Sequence, residues 1–450
     1  MLPAGSLLDT PDASASDADW AAAARQALQQ ADARLHRRFD QGDHIERLLA
    51  LRARAADHLI RLVWQRCLPA DSGLALFAVG GYGRGELFPH SDIDVLVLGE
   101  TAAQLRSEQA LSRLFALLWD CGLPVSHAVR SLQQCHQAAA DQTVVTALIE
   151  ARPVAADDNA RRALRQTIDD GVLWPPRAFF MAKLEELRAR HERFGDTADN
   201  LEPDLKDGPG GLRDLNTLGW MALRAFGVRD LEALVGLGHL GADEAAALMR
   251  ERAVLARLRY GLHLVARRPE ERLRFDYQKT LAAHLGFQDD SESLGVEKMM
   301  QGFYRAASVV RRISDRLLQR FEEQFDGEAV PEALTVGFSL RRGYLAANEA
   351  QWPEDDIGQV FALFASWANN PQVRGLHSLT ARALAESLPQ LPSFDQAEPR
   401  ARQQFLQLLR GQRPVDSLSR MARLGVLGQW IPAFAQVSGR MQFDLFHVYT

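Results

Sequence analysis

One stretch decides the fold of the first part of this chain, and it reads FAVGGYGRGELFPHSDIDVLVL over residues 77–98. Its first apolar run ends at the pair Gly80-Gly81, and Asp92 and Asp94 open a second apolar run. Side chains two residues apart on a strand point the same way. The pattern therefore predicts two strands joined by a glycine turn, with two carboxylates side by side at the start of the second strand.

The paired carboxylates and the glycines indicate a kind of chemistry. Like charges held this close repel each other unless a cation lies between them. Hard oxygen ligands without cysteine or histidine suit Mg²⁺. Glycine has no Cβ, so its backbone N–H can approach a phosphate. Together these features predict a metal-dependent nucleotidyl-transfer site.

Composition limits the class of protein. A length of 450 residues favours two or three domains, and 47% hydrophobic with 24% charged residues is ordinary for a globular protein. The net charge of −6 argues against a general nucleic-acid binder. The three cysteines lack metal-ligand spacing, and no apolar run is long enough to cross a membrane. We therefore expect a cytoplasmic protein with neither nucleic acid nor membrane as partner.

The pattern of apolar residues predicts an α+β fold, in which a small mixed sheet is followed by a mostly helical region. Around the two strands it predicts further helices and short strands, at residues 20–67 (helical), 102–119 (one helix), 125–130 (a strand beside the acid pair), 141–151 (helical) and 152–154 (a strand). Residues 179–194 and 242–265 also show helical spacing, with irregular segments at 201–213 and 335–355. From residue 405 onward the pattern is helical, with breaks at Pro414 and Pro432.

The spacing of the glycine pair and the acid pair resembles the signature of the polymerase-β-type nucleotidyltransferases. A closer resemblance, to the bacterial PII uridylyltransferase/uridylyl-removing (GlnD) family, rests on four segments in that family's order. They are residues 80–98, NLEPDLKDGPGGLRDL at 200–215, RFDYQ at 274–278 with MMQGFY at 299–304, and MQFDLFHVYT at 441–450.

The resemblance implies Mg²⁺-dependent transfer of UMP from UTP to a tyrosine of the PII signalling protein, with release of pyrophosphate. The small, acidic, Ser-, Ala- and Asp-rich composition of residues 1–20 predicts a disordered lead-in. The resemblance implies the domains that follow: a nucleotidyltransferase domain (21–170), a helical uridylyltransferase-associated domain (171–330) and a helical segment leading into a truncated HD domain (331–450). The family's hydrolase and glutamine-sensing ACT domains would then follow the last residue. His447 precedes the position of the family's first metal-binding histidine, and a capping or packing role is favoured for it.

The expected roles at the site follow from that resemblance. Asp92 and Asp94 are the expected catalytic residues and metal ligands, and the expected substrate-binding residues are Gly80, Gly81, Arg84, Ser91, Lys206 and Arg213. A guanidinium suits phosphate oxygens, but Arg84 could equally be a solvated turn arginine. Lys206 and Arg213 lie in a charged Gly/Pro loop that is either a solvated connection or a phosphate-binding loop over the active site.

The absence of a third carboxylate leaves the function open. Relatives of the superfamily commonly use a third carboxylate from a neighbouring strand, but the predicted strand at 125–130 has no acid. The nearest acids downstream, Asp141 and Glu150, lie on a predicted helix, where a solvated face is the commoner role. A catalytically weak nucleotide-binding regulatory module therefore remains an alternative, and an RNA nucleotidyltransferase is a further one that the net acidity argues against.

Overall fold

The computed structural model describes residue 8 and residues 11–169, 173–327, 329–437 and 439–440. The chain folds into two compact units. The first unit comprises residues 1–190, 220–227 and 255–286, and the second comprises residues 191–219, 228–254 and 287–450. The predicted domain limits at residues 20, 170 and 330 stay a prediction. The predicted motif at 441–450, with His447, lies outside the described residues.

The first unit contains a four-stranded mixed sheet. Its strands are β1 (Leu74–Ala78), β2 (Ile93–Gly99), β3 (Val125–Arg130) and β4 (Arg152–Ala155), and they lie in the order β3-β2-β1-β4. Strand β1 is antiparallel to β2 and β4, whereas β2 and β3 are parallel. The sheet confirms both predicted strands of the opening stretch, the strand beside the acid pair and the short strand after residue 151.

Helices cover both faces of this sheet. The helices of the chain up to residue 286 are α1 (Asp17–Asp40), α2 (Ile45–Cys67), α3 (Gly80–Gly83), α4 (Thr101–Arg106), α5 (Glu108–Asp120), α6 (Leu132–Ala138), α7 (Gln142–Ile149), α8 (Asp158–Ile168), α9 (Pro176–Arg193), α10 (Leu212–Phe226), α11 (Ala233–Gly236), α12 (Ala242–Ala266) and α13 (Phe275–His284). Along β2, Val95 and Val97 pack in a core with α1, α2 and α5, and Leu96 and Leu98 pack in a second core with α6 to α8. Burial on both faces explains why these strands read as continuous apolar runs.

The prediction of one helix over residues 102–119 is wrong. The structure has two helices, α4 and α5, which meet at Ser107. Leu105 is 69% exposed, whereas Leu111 and Leu114 are buried. The leucine spacing that suggested one amphipathic helix therefore combined an exposed residue with the true buried face of α5.

The second unit is mostly helical but also contains a sheet that the sequence pattern did not predict. Its later elements are helix α14 (Gly295–Asp326), strands β5 (Glu332–Thr335), β6 (Phe338–Arg341) and β7 (Tyr344–Ala347), helix α15 (Ile357–Asn369), strand β8 (Gly375–Leu376), and helices α16 (Ser378–Ser387), α17 (Pro399–Leu409), α18 (Pro414–Arg423), α19 (Val426–Trp430) and α20 (Pro432–Val437). The four strands lie in the order β5-β6-β7-β8. Helices α18 and α20 begin at Pro414 and Pro432, which confirms the predicted breaks, since proline fits the first turn of a helix.

Candidate functional site

The end of β1 brings the glycine pair directly against the second acid. The Val79 N–H donates to the Asp94 carbonyl oxygen at 3.0 Å, which extends the pairing of β1 with β2. Gly80 then adopts φ +59°, in the left-handed region that favours glycine. A Cβ at this position would lie 3.1 Å from Asp94 Oδ2. The chain therefore passes beside the Asp94 carboxylate at a position where a side chain would crowd it.

The two acids lie on either side of the first residue of β2. Ile93 is buried, and its N–H donates to the Pro124 carbonyl oxygen at 3.0 Å. Asp92 is exposed and Asp94 is half-buried. Asp94 therefore lies on β2 next to Gly80, and Asp92 immediately precedes the strand.

These carboxylates suit a magnesium ion whose other ligands come from substrate and water. Asp94 is paired in register with Ser126 of β3, and that strand carries no acid, as predicted. Within the part of the chain that the structure describes, no group of three or more His, Cys, Asp or Glu could hold a metal. Magnesium is commonly held by one or two carboxylates together with substrate phosphates and water. The donor set of Asp92 and Asp94 suits that mode.

Arg84 is held by two carboxylates and is not a solvated turn arginine. Its Nε donates to Glu86 at 3.0 Å, and its Nη1 forms an ion pair with Glu150. The Glu150 side chain is 6% exposed and also accepts the Trp220 indole N–H. The expectation of a solvated helix face for Glu150 is therefore wrong, because its partners come from distant parts of the chain. A phosphate contact of Arg84 stays a prediction.

A buried network that was not predicted from the sequence holds the glycine turn through Tyr82. Asp57 of α2 accepts the Tyr82 hydroxyl at 2.6 Å and two Arg152 N–H groups at 2.7 and 3.0 Å. Arg152 also donates to the Tyr82 carbonyl oxygen at 3.2 Å. One signal was present in the sequence, since Asp57 falls between Ala53 and Ile60 on the apolar face of α2.

The charges of this network shift two pKa values. Burial, reinforced by the Asp57 carboxylate, raises the pKa of Tyr82 well above its ordinary value. Burial by itself would lower the pKa of Arg152, but the hydrogen bonds and charge interactions with Asp57 and Tyr82 together outweigh that effect and raise it. Tyr82 therefore stays protonated and Arg152 stays charged over the working range of pH, so the turn keeps these bonds.

The other predicted substrate-binding residues differ in setting. Ser91 is half-buried, and its N–H donates to the Phe88 carbonyl oxygen at 3.1 Å. Lys206 and Arg213 belong to the second unit, and the Arg213 Nε donates to Asp207 at 3.2 Å. Binding of substrate by these three residues stays a prediction.

The Gly/Pro loop that carries Lys206 and Arg213 is packed and is not a solvated connection. Residues 208–211 are all buried. A Cβ on Gly210, which has φ +76°, would lie 2.3 Å from the Ala307 carbonyl oxygen on α14. The Gly210 N–H donates to Asp214 at 2.7 Å, and His191 Nε2 lies 3.0 Å from both carboxylate oxygens of Asp214. The loop therefore has a fixed shape within its own unit.

Comparison with known proteins finds similarity over most of the chain. Three family models match: a nucleotidyltransferase domain over residues 60–138, GlnD PII-uridylyltransferase over residues 178–318, and the uridylyltransferase GlnD third domain over residues 338–430. The described residues include no helix long and apolar enough to cross a membrane.

Curated relatives carry the name bifunctional uridylyltransferase/uridylyl-removing enzyme. The relative from Xanthomonas campestris pv. campestris (strain 8004) is 75% identical over 443 residues, which cover 98% of this chain and 51% of the relative. The relative from Pseudomonas putida (strain W619) is 38% identical over 435 residues, which cover 95% of this chain and 48% of the relative. The chain spans about half the length of these relatives.

Proposed function

Because the chain belongs to the GlnD uridylyltransferase family, we propose that it transfers UMP from UTP to a tyrosine hydroxyl of a PII protein and releases pyrophosphate. The observation that carries this proposal is the meeting of Gly80 with the Asp94 carboxylate, at a strand end that also presents Asp92. This arrangement supports the proposal that the two carboxylates bind a metal ion and that the glycine backbone approaches a phosphate.

The roles of the residues follow from charge and access. Asp92 and Asp94 would hold Mg²⁺, which neutralises triphosphate charge and favours the deprotonated form of the attacking hydroxyl when bound. Gly80 and Gly81 leave room for phosphate oxygens to approach the backbone. In the transfer, the tyrosine hydroxyl gives up its proton to solvent and its oxygen bonds to the α-phosphorus of UTP, while the bond from that phosphorus to the oxygen bridging the α- and β-phosphates breaks and pyrophosphate leaves with that oxygen.

Further contacts to the nucleotide are proposed for four residues. The Arg84 guanidinium can bind phosphate oxygens in place of Glu86, which is the more exposed of its two partners. Ser91 would add a hydroxyl contact beside Asp92. Lys206 and Arg213 are proposed to bind phosphates because of their charge and because of the family resemblance of their loop.

We propose a cytoplasmic location for the protein, in keeping with its acceptor.

The proposal is tested by incubating the chain with labelled UTP and Mg²⁺, with either PII or RNA as acceptor. Label should appear on PII, and Asp92→Asn or Asp94→Asn should reduce its rate of appearance by orders of magnitude. The melting temperature of both variants should stay close to that of the parent, because an unmetallated acid pair repels itself. Label on RNA would overturn the proposed acceptor. No label on either acceptor would favour a nucleotide-binding regulatory module.

A further inference from the structure

Three side chains from two helices, distant in sequence, hold the segment that leads into Asp92. The segment comprises Phe88, Pro89 and His90, and the side chains are Arg52 of α2 with Arg259 and His263 of α12. All six residues belong to the first unit. We propose that Arg52, Arg259 and His263, here called the loop clamp, act as positioning residues that fix Asp92 for metal binding. This inference rests on the proposed function.

Arg52 holds the middle of the segment. Its Nη2 donates to the Pro89 carbonyl oxygen at 2.7 Å, and its Nη1 forms an ion pair with Asp32 of α1. The Arg52 side chain is only 12% exposed. The ion pair fixes the direction of the guanidinium, so that its second nitrogen faces the carbonyl oxygen of a residue that is itself buried.

Arg259 holds the beginning of the segment. Its guanidinium carbon lies 4.0 Å from the centre of the Phe88 ring, which is within the range of a cation–π contact. The same guanidinium makes two hydrogen bonds to the Glu271 carboxylate, from Nε at 2.6 Å and from Nη2 at 2.5 Å. The bidentate pair sets the plane of the guanidinium, and the plane lies against a ring that is 3% exposed.

His263 holds the end of the segment. The His90 backbone N–H donates to His263 Nδ1 at 3.4 Å, and the His263 side chain is fully buried. The rings of Phe88 and His90 lie 6.0 and 6.2 Å from the His263 ring, centre to centre. His263 therefore contacts the segment at both of its ends.

The clamp lies next to the metal ligand in the chain. The Ser91 N–H donates to the Phe88 carbonyl oxygen at 3.1 Å, so a tight turn joins the clamped segment to Asp92. On the other side of Asp92, the Ile93 N–H is held by Pro124. Asp92 itself is exposed. The position of its backbone is therefore set by the sheet on one side and by the clamp on the other. Groups that orient metal ligands typically contribute about 10–100-fold in metal affinity or activity.

Arginine variants on one helix separate positioning from general stability. Arg52 and Arg66 both lie on α2, and each bonds to an aspartate and to backbone carbonyl oxygen, one for Arg52 and two for Arg66. Arg66 contacts Asp17, Ala13 and Ala15, well away in sequence from the clamped segment. Arg52→Met is therefore the test variant and Arg66→Met is its matched control.

The experiment measures Mn²⁺ binding to each variant of the 450-residue chain by electron paramagnetic resonance. The melting temperature, the KM for UTP and kcat are measured for the same variants. Arg52→Met should weaken Mn²⁺ binding and lower kcat by about tenfold or more. Arg66→Met should leave Mn²⁺ affinity and kcat unchanged, even if it lowers the melting temperature as much as Arg52→Met does. His263→Gln keeps an acceptor for the His90 N–H and should retain more Mn²⁺ affinity than His263→Leu.

Two results would contradict the clamp. One is Mn²⁺ affinity in Arg52→Met equal to that of the parent chain. The other is equal loss of Mn²⁺ affinity in both arginine variants, in proportion to their loss of melting temperature. Failure of the proposed function looks different, because the parent chain itself would then bind Mn²⁺ without transferring UMP to PII.

Discussion

A side chain at position 80 would face two separate obstacles. The backbone there has φ +59°, which costs a non-glycine residue about 1–2 kcal/mol. A Cβ would also lie 3.1 Å from Asp94 Oδ2 and would displace or shield that carboxylate. The first obstacle affects stability, whereas the second affects the carboxylate that we propose binds metal.

Gly80→Ala should therefore lower kcat by more than tenfold and destabilise the fold by about 1–2 kcal/mol. Gly42 is the control, because it has φ +83° and a Cβ added there would meet no atom within 4 Å. Gly42→Ala should show a similar loss of stability in urea unfolding with full activity. Equal kcat in the two variants would mean that contact with Asp94 is unimportant.

Arg84 forms structural ion pairs and is also proposed to bind substrate. Its partner Glu150 is nearly buried, whereas its partner Glu86 is 19% exposed. A buried carboxylate without its cation is costly, so Arg84 is retained by Glu150 whether or not nucleotide is bound. An incoming phosphate would compete with Glu86 only. The guanidinium is thus held in place near the glycine pair by one bond while its other bond is exchangeable.

At the scale of elements, the Asp57 network joins α2, the glycine turn and β4. Asp57 is 7% exposed on its side chain, and its charge is balanced by Arg152 at 2.7 Å and by the more exposed Arg61 at 3.6 Å. Removing one partner of a buried pair leaves an uncompensated charge, which typically costs about 3–5 kcal/mol. An exposed pair typically contributes about 1 kcal/mol or less. Arg113 and Asp17 form such a pair, with side chains 49% and 38% exposed.

Arg152→Met should destabilise the chain by about 1.5–3 kcal/mol, because Arg61 still neutralises part of the Asp57 charge, and Arg113→Met by less than about 1 kcal/mol, in urea unfolding. Adding Asp57→Asn to Arg152→Met should recover part of the loss, because no charge is then left buried. A double variant less stable than Arg152→Met would show that Asp57 acts through its other bond, to Tyr82.

The elements predicted from sequence are those whose signal is local. The apolar runs of β1 and β2, the glycine pair and the acid pair lie within one short stretch, and the long helix α12 is rich in alanine and leucine, which favour helix. The second sheet was missed because β5, β6 and β7 have four residues each, too few for a period to stand out. The Asp57 network was missed because its partners lie 25 and 95 residues away. Distances of that kind are set by the fold and leave no local pattern.

Across the whole molecule, buried cysteine thiols and tyrosine hydroxyls have raised pKa values, and these shifts make the stability depend on pH. Burial raises the pKa of Cys121 to about 12 and that of Cys135 to about 11, from ordinary values near 9. Burial also raises the pKa of Tyr82, Tyr260 and Tyr304 above their ordinary value of 10. In the unfolded chain these groups lose their protons at a lower pH than in the folded chain.

A folded pKa above the unfolded value gives stability that is fully present below the unfolded pKa and is lost as pH rises toward the folded pKa. The free energy of unfolding should therefore change little from these groups between about pH 7 and 8 and should fall above about pH 9. Each group contributes a slope of at most about 1.4 kcal/mol per pH unit within its window.

Urea unfolding at a series of pH values measures this slope. The variant Cys121→Ala/Cys135→Ala removes two of the titrating thiols, so its slope between about pH 9 and 11 should be shallower than that of the parent. An identical slope would mean that alkaline unfolding is driven by other groups.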